Sequence, residues 1–193
     1  LQQSFAALRR GMRSCRHRQA HLQLAAQRYT PVLQPLQLQA FSNDLAIGRK
    51  MTLRVADLVV RIDATLCGLI MDNAISNAFK HGHPREPEVL FTISEAGGSD
   101  STDSLSSGDH VRLSFKVTNK CNPARPALTP EYIDLVRSGK SFPSASQGTN
   151  AMSDQIGLQH SFLAAHAHGM QLSLTQEDGI VTFEGLLQVE LAE

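Results

Sequence analysis

Asp72-Asn73-Ala74-Ile75-Ser76-Asn77-Ala78-Phe79-Lys80-His81-Gly82 is the stretch on which the fold turns. Preceded by Thr65-Leu66-Cys67-Gly68-Leu69-Ile70-Met71, it predicts one helix with Asp63 near its start. Gly82 falls just past the end, where a left-handed glycine cap is expected. At 100° per residue, Asn73, Asn77 and Lys80 continue the stripe that Leu66, Leu69 and Ile70 begin. A core-facing stripe thus turns polar halfway along. Carboxamide oxygens are hard, neutral ligands that suit Mg²⁺, and a lysine one turn further on supplies a point charge for phosphate. A polar face in water fits the same pattern, and the helix alone does not separate the two.

Upstream, Met51-Thr52-Leu53-Arg54-Val55 alternates as a strand does. Residues 37–47 predict a short helix with Leu38, Phe41 and Leu45 on one side and Gly48 just beyond its end. Pro31 and Pro35 imply an extended connector over residues 29–38, with room for an edge strand. Residues 1–29 lack proline and place Phe5, Leu8, Met12, Cys15, Gln19, Leu22, Ala26 and Tyr29 at alternating steps of three and four. That is a heptad seam, polar at Gln19. So narrow a stripe on so long a helix suits pairing with another helix, the alternative being a surface helix folded back on the domain. His17 and His21 on this helix are expected to be solvated.

Downstream, Val89-Leu90-Phe91-Thr92-Ile93 and Val111-Arg112-Leu113-Ser114-Phe115-Lys116-Val117 are the clearest strands, β-branched and aromatic with period-two patterning. Residues 95–110 between them are rich in Gly, Ser and Asp and predict a long, flexible hairpin loop. Thr129-Pro130-Glu131 opens a short helix, with Thr129 as N-cap, running to about Ser138. Residues 139–154 are polar, as a mobile lid would be. Residues 156–168 are helical up to Gly169. Met170-Gln171-Leu172-Ser173-Leu174 and residues 181–189 then form a closing hairpin around Glu177-Asp178-Gly179. Strands and helices interleave without a strict βαβ rhythm, which favours an α+β fold with a mixed sheet covered on one face by helices.

The 193 residues, 41% of them hydrophobic, suffice for one core with a small appendage. Eighteen basic and eighteen acidic side chains cancel, which argues against nucleic acid as the main partner. Cys15, Cys67 and Cys121 form no pair spaced for a disulfide framework or a zinc knuckle, so a reducing, cytoplasmic setting is expected. His81/His83 and His166/His168 are i,i+2 pairs, which point apart on a helix, so they do not make a transition-metal site. No apolar run reaches the ~18 residues of a membrane span. The chain begins with Leu1, which suggests a fragment of a longer protein that has room for a membrane anchor elsewhere.

The Asn helix, a Gly-Leu at the start of a later helix and the closing hairpin together resemble the ATP-binding domain of histidine kinases, in the gyrase, Hsp90, histidine kinase and MutL superfamily. Residues 72–82 look like that family's N box, matching Asn-x-x-x-Asn-Ala-x-Lys-His without a gap. Ile156-Gly157-Leu158, followed by His168-Gly169, looks like its second glycine box. The resemblance implies a Bergerat-type two-layer α/β sandwich over residues 30–193, preceded by a long dimerisation helix over residues 1–29. It also implies a Mg-ATP site. Asn73 and Asn77 would hold Mg²⁺ and phosphate oxygens, Lys80 would contact phosphate, and His81 would line the nucleotide. Gly157 and Leu158 would present N–H groups of a helix N-terminus to the phosphates, and Phe142 would stand in the lid.

The sequence departs from that pattern in places. The first glycine box falls on Asn119-Lys120-Cys121-Asn122-Pro123, with both glycines missing and Asn119 where an Asp accepts from the adenine amine. Gln155 stands at a usual glycine of the second box. Leu69 occupies the position at which the superfamily's hydrolysing members carry a Glu general base, so transfer to a histidine imidazole is favoured over hydrolysis. The resemblance implies a homodimeric histidine kinase domain, with a receiver domain or response regulator as partner and a phosphoacceptor outside this chain. A catalytically impaired scaffold is the alternative.

Overall fold

Strand β7 (Ile180–Leu191) orders the sheet. The computed structural model describes residues 2–97, 110–138 and 149–192. In chain order they form α1 (Gln2–Ala25), β1 (Gln34–Gln37), α2 (Leu38–Ala46), β2 (Thr52–Val55), β3 (Val59–Ile62) and α3 (Ala64–His81). Then follow β4 (Leu90–Glu95), β5 (His110–Lys120), α4 (Pro130–Arg137), α5 (Thr149–His168), β6 (Gln171–Glu177) and β7. The strand order is β1-β3-β7-β5-β4-β2, with β6 paired to β7 beside that path. On one side β7 runs antiparallel to β5 from Lys120↔Ile180 to His110↔Glu190. On its other side β6 covers residues up to Leu186, and β3 takes over at Glu190 and Leu191. Among the described residues only β2 and β4 pair in parallel, so the sheet is mixed, as the interleaved pattern implied.

Alternation decides which face is wet. Leu113, Phe115 and Val117 stand opposite Leu187, Gly185 and Phe183 and are all buried under the helices. The intervening positions carry polar groups: Ser114 Oγ donates to Glu184 at 2.6 Å, and Lys116 pairs with the same carboxylate at 3.3 Å. One covered and one polar face make this a two-layer α+β sandwich. At the β6–β7 turn, Asp178 and Gly179 both adopt positive φ, 48° and 77°, which is the hairpin geometry of a type I′ turn.

Helix α3 begins where expected. Asp63 is its N-cap, with Oδ1 accepting from the Thr65 and Leu66 amides at 2.9 and 3.0 Å. Its end differs from expectation. Gly82 is extended, φ −69° and ψ −174°, rather than left-handed. The reason for glycine is close approach: a Cβ here would lie 2.4 Å from the Ala78 carbonyl oxygen, 2.9 Å from Asn119 Nδ2 and 3.1 Å from the Lys120 carbonyl. The residue bridges directly to Cys121, closing the helix end onto β5.

Three other elements depart from the sequence expectations. Strand β3 was not anticipated, although Leu58-Val59-Val60-Arg61-Ile62 has the composition of one; it fills the place between β1 and β7. Pro35 sits in β1 at the sheet edge, where its missing N–H costs nothing. Helix α1 stops at Ala25, with Gln27 at φ 53°, rather than running on to Tyr29. Helix α5 starts at Thr149, so residues 149–154, expected in a lid, are helical, while the rest of that segment lies outside the described residues.

Both arrangements foreseen for α1 leave a mark. Its Arg13, His17, Ala20 and Leu24 face the domain, with Ala20 and Leu24 buried. The heptad seam lies on roughly the opposite face. Leu8, Met12 and Leu22 there are 63%, 51% and 65% exposed.

Candidate functional site

Asn73, Asn77 and Lys80 project from successive turns of α3, partly or fully exposed, while the Leu66, Leu69 and Ile70 end of the same stripe is sealed in the core. The switch from apolar to polar is therefore real, and it occurs where α3 passes from under the sheet to the rim of the molecule. Lys80, Ser76 and Phe79 line an open cleft of about 480 Å³ together with Gly48, Arg49 and Lys50, a predominantly basic surface. A larger cleft of about 640 Å³ lies on the far side of α5, against Phe162, Leu163 and Met170, and contains none of the expected site residues.

Asn73 is the hub. Its Nδ2 donates to the Gly157 carbonyl at 3.0 Å and to Ser161 Oγ at 3.2 Å, and Ser161 Oγ itself donates to the Gly157 carbonyl at 3.1 Å. Gly157 thus meets Asn73 through its carbonyl. Lying inside α5 rather than at its start, it has no orphan N–H to offer an anion. Leu158 is buried in the core at 7% exposure. The expectation of a helix N-terminus at residues 157–158 is corrected accordingly: the continuous α5 consumes those amides internally.

Asn119, at the end of β5, is buried beside Gly82, and its Nδ2 donates to the Lys120 carbonyl at 2.9 Å. Its amide nitrogen is thus engaged in the protein, and its oxygen is an acceptor. His81 Nδ1 accepts from Arg125 on the loop that follows β5, which draws that loop to the end of α3. Phe142 lies outside the described residues.

A charge cluster next to Asn73 escaped sequence reasoning. Asp72 receives Arg49 at 2.8 Å, Arg13 at 3.8 Å and His17 Nδ1 at 3.8 Å, joining α1 and the loop after α2 to α3. Arg13 also pairs with Asp44 at 3.0 Å. An acid in mid-helix beside the Asn motif was the available signal, but partners 23 to 59 residues away carry no local signature. His17 and His21, expected in water, are partly buried, and the His21 ring stacks on His160 of α5 with centroids 3.3 Å apart. Burial lowers the pKa of His17 despite the pull of Asp72, with Arg13 pushing the same way.

The donor set can be tested against a divalent cation. Asn73 and Asn77 offer neutral oxygens one turn apart, and the adjacent carboxylate, Asp72, is bound up with Arg49, Arg13 and His17. Such a pair suits Mg²⁺ that arrives already held by phosphate oxygens, and is too weak in charge to hold the bare ion.

No family model matches the sequence, and no curated protein matches it. Solved structures do. The full-length structure of ShkA in complex with AMPPNP aligns with a TM-score of 0.61 at 18% identity, over 90% of this chain and 34% of that one. Acinetobacter baumannii histidine kinase AdeS aligns at 0.56 and 13% identity, over 92% and 76%. The mycobacterial sensor histidine kinase MprB aligns at 0.53 and 16% identity, over 83% and 100%. The fold of this chain is therefore the one found in these histidine kinases.

Proposed function

We propose that this chain is the Mg-ATP-binding catalytic domain of a sensor histidine kinase, transferring the γ-phosphate to a histidine outside residues 1–193. The observation that carries the reading is the pair of carboxamides, Asn73 and Asn77, one turn apart on α3 and flanked by Lys80 and a basic cleft, in a fold shared with solved histidine kinases. ShkA, one of those structures, is in complex with AMPPNP. Asn73 and Asn77 would place their oxygens on a phosphate-borne Mg²⁺, and Lys80 would neutralise developing charge on the transferred group. His81, already tied to Arg125, would line the nucleotide, and the Asn119 oxygen would accept from the adenine amine. Bound Mg²⁺ would supply charge neutralisation of the triphosphate. Leu69, buried at 2% exposure, leaves no general base at that position, which favours phosphotransfer over hydrolysis.

The exposed seam of α1 supports a homodimer formed through residues 1–29, with residues 30–193 as the catalytic domain and a receiver domain or response regulator as the downstream partner. Among the described residues no helix is long and apolar enough to cross a membrane. A second reading, an impaired kinase serving as a dimeric scaffold, is favoured by one observation: the Asn73 amide is held by Gly157 and Ser161.

Titration of the chain with a fluorescent ATP analogue, with and without Mg²⁺, separates the two. The kinase reading expects Mg²⁺-dependent binding that weakens at least about tenfold in Asn73→Ala, the loss of one charge-assisted contact. Absence of Mg²⁺-dependent binding to the unsubstituted chain sinks it and leaves the scaffold. Sedimentation of the full chain against Leu8→Glu/Leu22→Glu tests the dimer; equal masses for the two remove it.

A further inference from the structure

Helix α1 is fastened to both helices that meet at Asn73, and each fastening lands one residue from that hub. On α3 the anchor is Asp72, which precedes Asn73 and receives Arg13 and His17. On α5 it is His160, which precedes Ser161 and stacks on His21. Between these anchors Ala20 and Leu24 bury against the domain. At Gly68 the two helices come close enough that an added Cβ would just touch His17 Nε2, at 3.4 Å. Beyond the helix, the Tyr29 hydroxyl donates to Asp63 at 3.0 Å, and the Asp63 amide donates to His168 Nε2 of α5 at 3.1 Å.

We infer that α1 is a proton-released strap, which while docked clamps α3 to α5 and keeps the Asn73 amide on Gly157 and Ser161. Two imidazole faces 3.3 Å apart cannot both carry a proton without direct like-charge repulsion. A proton added at His21 Nδ1, which is buried with no hydrogen-bond partner among the described residues, meets no acceptor there. The charged groups around the contact do not offset this. The nearest carboxylates of the α1 contact, Asp44 of α2 and Asp72 of α3, are each already shared with arginines, and neither acts on the His21 or His160 ring.

The titration directions agree with the geometry. Burial lowers both His21 and His160, and the neighbouring His21 lowers His160 further, to about 4. His17 is lowered as well. For a group whose docked pKa lies below its free value, docking is fully favoured above the free value of ~6.5 and is lost as pH falls toward the docked value. The strap therefore holds at pH 7.5 and loosens below about 6.5. Because the pair is half open to water, a loosening of about threefold to tenfold is expected at pH 5.5.

What release does for nucleotide rests on the Mg-ATP reading: a freed α5 leaves Asn73 able to turn to a ligand. The test of the strap uses no nucleotide, so it stands or falls separately. Cys15, exposed on the outer face of α1, takes one nitroxide, and a His166→Cys substitution on exposed α5 takes the other. Cys121→Ser removes the competing thiol, and Cys67 is buried. Electron–electron resonance distances are measured at pH 7.5 and 5.5 after dilution with unlabelled chain. A narrow distribution at pH 7.5 gaining a broad, longer component at pH 5.5 is the expected result. The His21→Gln/His160→Gln variant should lose most of the broad component at pH 5.5, His17 being the titrating contact that remains, and Ala20→Glu should show the broad distribution at both pH values. Identical distributions at the two pH values, or a double variant that responds like the original, would overturn the strap.

Discussion

Asn73 and Gly157, 84 positions apart, are joined by a 3.0 Å hydrogen bond from the Asn73 amide to the Gly157 carbonyl, with Ser161 Oγ closing the triangle. Ser161 is almost fully buried, so its hydroxyl is worth about 1 kcal/mol to the fold. Ser161→Ala should lower the melting temperature by about 2–4 °C, the scale for a chain of this size. Scanning calorimetry reads it directly; an unchanged midpoint means the triangle is incidental.

Two glycines should respond in opposite directions. At Gly82 a Cβ collides with backbone that cannot retreat, the nearest atom being 2.4 Å away, so Gly82→Ala should cost about 2–3 kcal/mol. Gly157 lies inside α5 with nothing within 4 Å of a Cβ, so Gly157→Ala should add about 0.5–1 kcal/mol through helix propensity. Urea midpoints of the two variants check both signs. If Gly157→Ala stabilises the chain yet abolishes Mg²⁺-dependent nucleotide binding, the glycine is there for the ligand and not for the fold.

Asp63 holds more than a helix end. Its carboxylate accepts from the Thr65, Leu66 and Val32 amides and from the Tyr29 hydroxyl, and the residue is 2% exposed. Asp63→Ala strands the buried Leu66 amide and the partly buried Thr65 and Val32 amides, and should cost about 3 kcal/mol or more. Tyr29→Phe removes one donor and should cost about 1 kcal/mol. Comparable small losses in the two variants, measured by chemical denaturation, would contradict the assigned network.

Installing a general base at position 69 should fail. Leu69 sits in the core, so Leu69→Glu buries a carboxylate with no partner and should destabilise the chain by about 3 kcal/mol or more. No gain in ATP hydrolysis should accompany it. A folded Leu69→Glu chain that hydrolyses ATP would show that the helix can turn this face to the ligand.

What the sequence made legible follows interaction range. Period-two strands around Phe91 and Phe115, the Asp63 cap of α3 and the Gly179 hairpin were readable, because each is decided within a few residues. Gly82 was identified as a helix end but for the wrong reason, since the crowding by Ala78, Asn119 and Lys120 exists only after β5 folds against α3. Gly157 was placed near Asn73 by resemblance, but helix continuity back to Thr149 depends on residues whose polarity resembles a loop. Asp72's three partners and the His21–His160 stack were invisible, being set by how α1 lies on α3 and α5 rather than by any local pattern. For the same reason the outward seam of α1 was recognised, whereas its inward face was not.

Strand β7 has a consequence for the order of assembly. It is the last strand in the chain, yet it lies between β5 on one side and β6 and β3 on the other. During synthesis β3 emerges about 130 residues before its neighbour at positions 190–191, with β1 as its one earlier partner. The β2–β4–β5 ribbon can form in that interval, but no strand joins it to β1–β3. The nascent chain is thus two separate half-sheets with open edges, and a single late insertion converts them into one. Any lesion that delays residues 180–191 leaves both edges available to neighbouring chains.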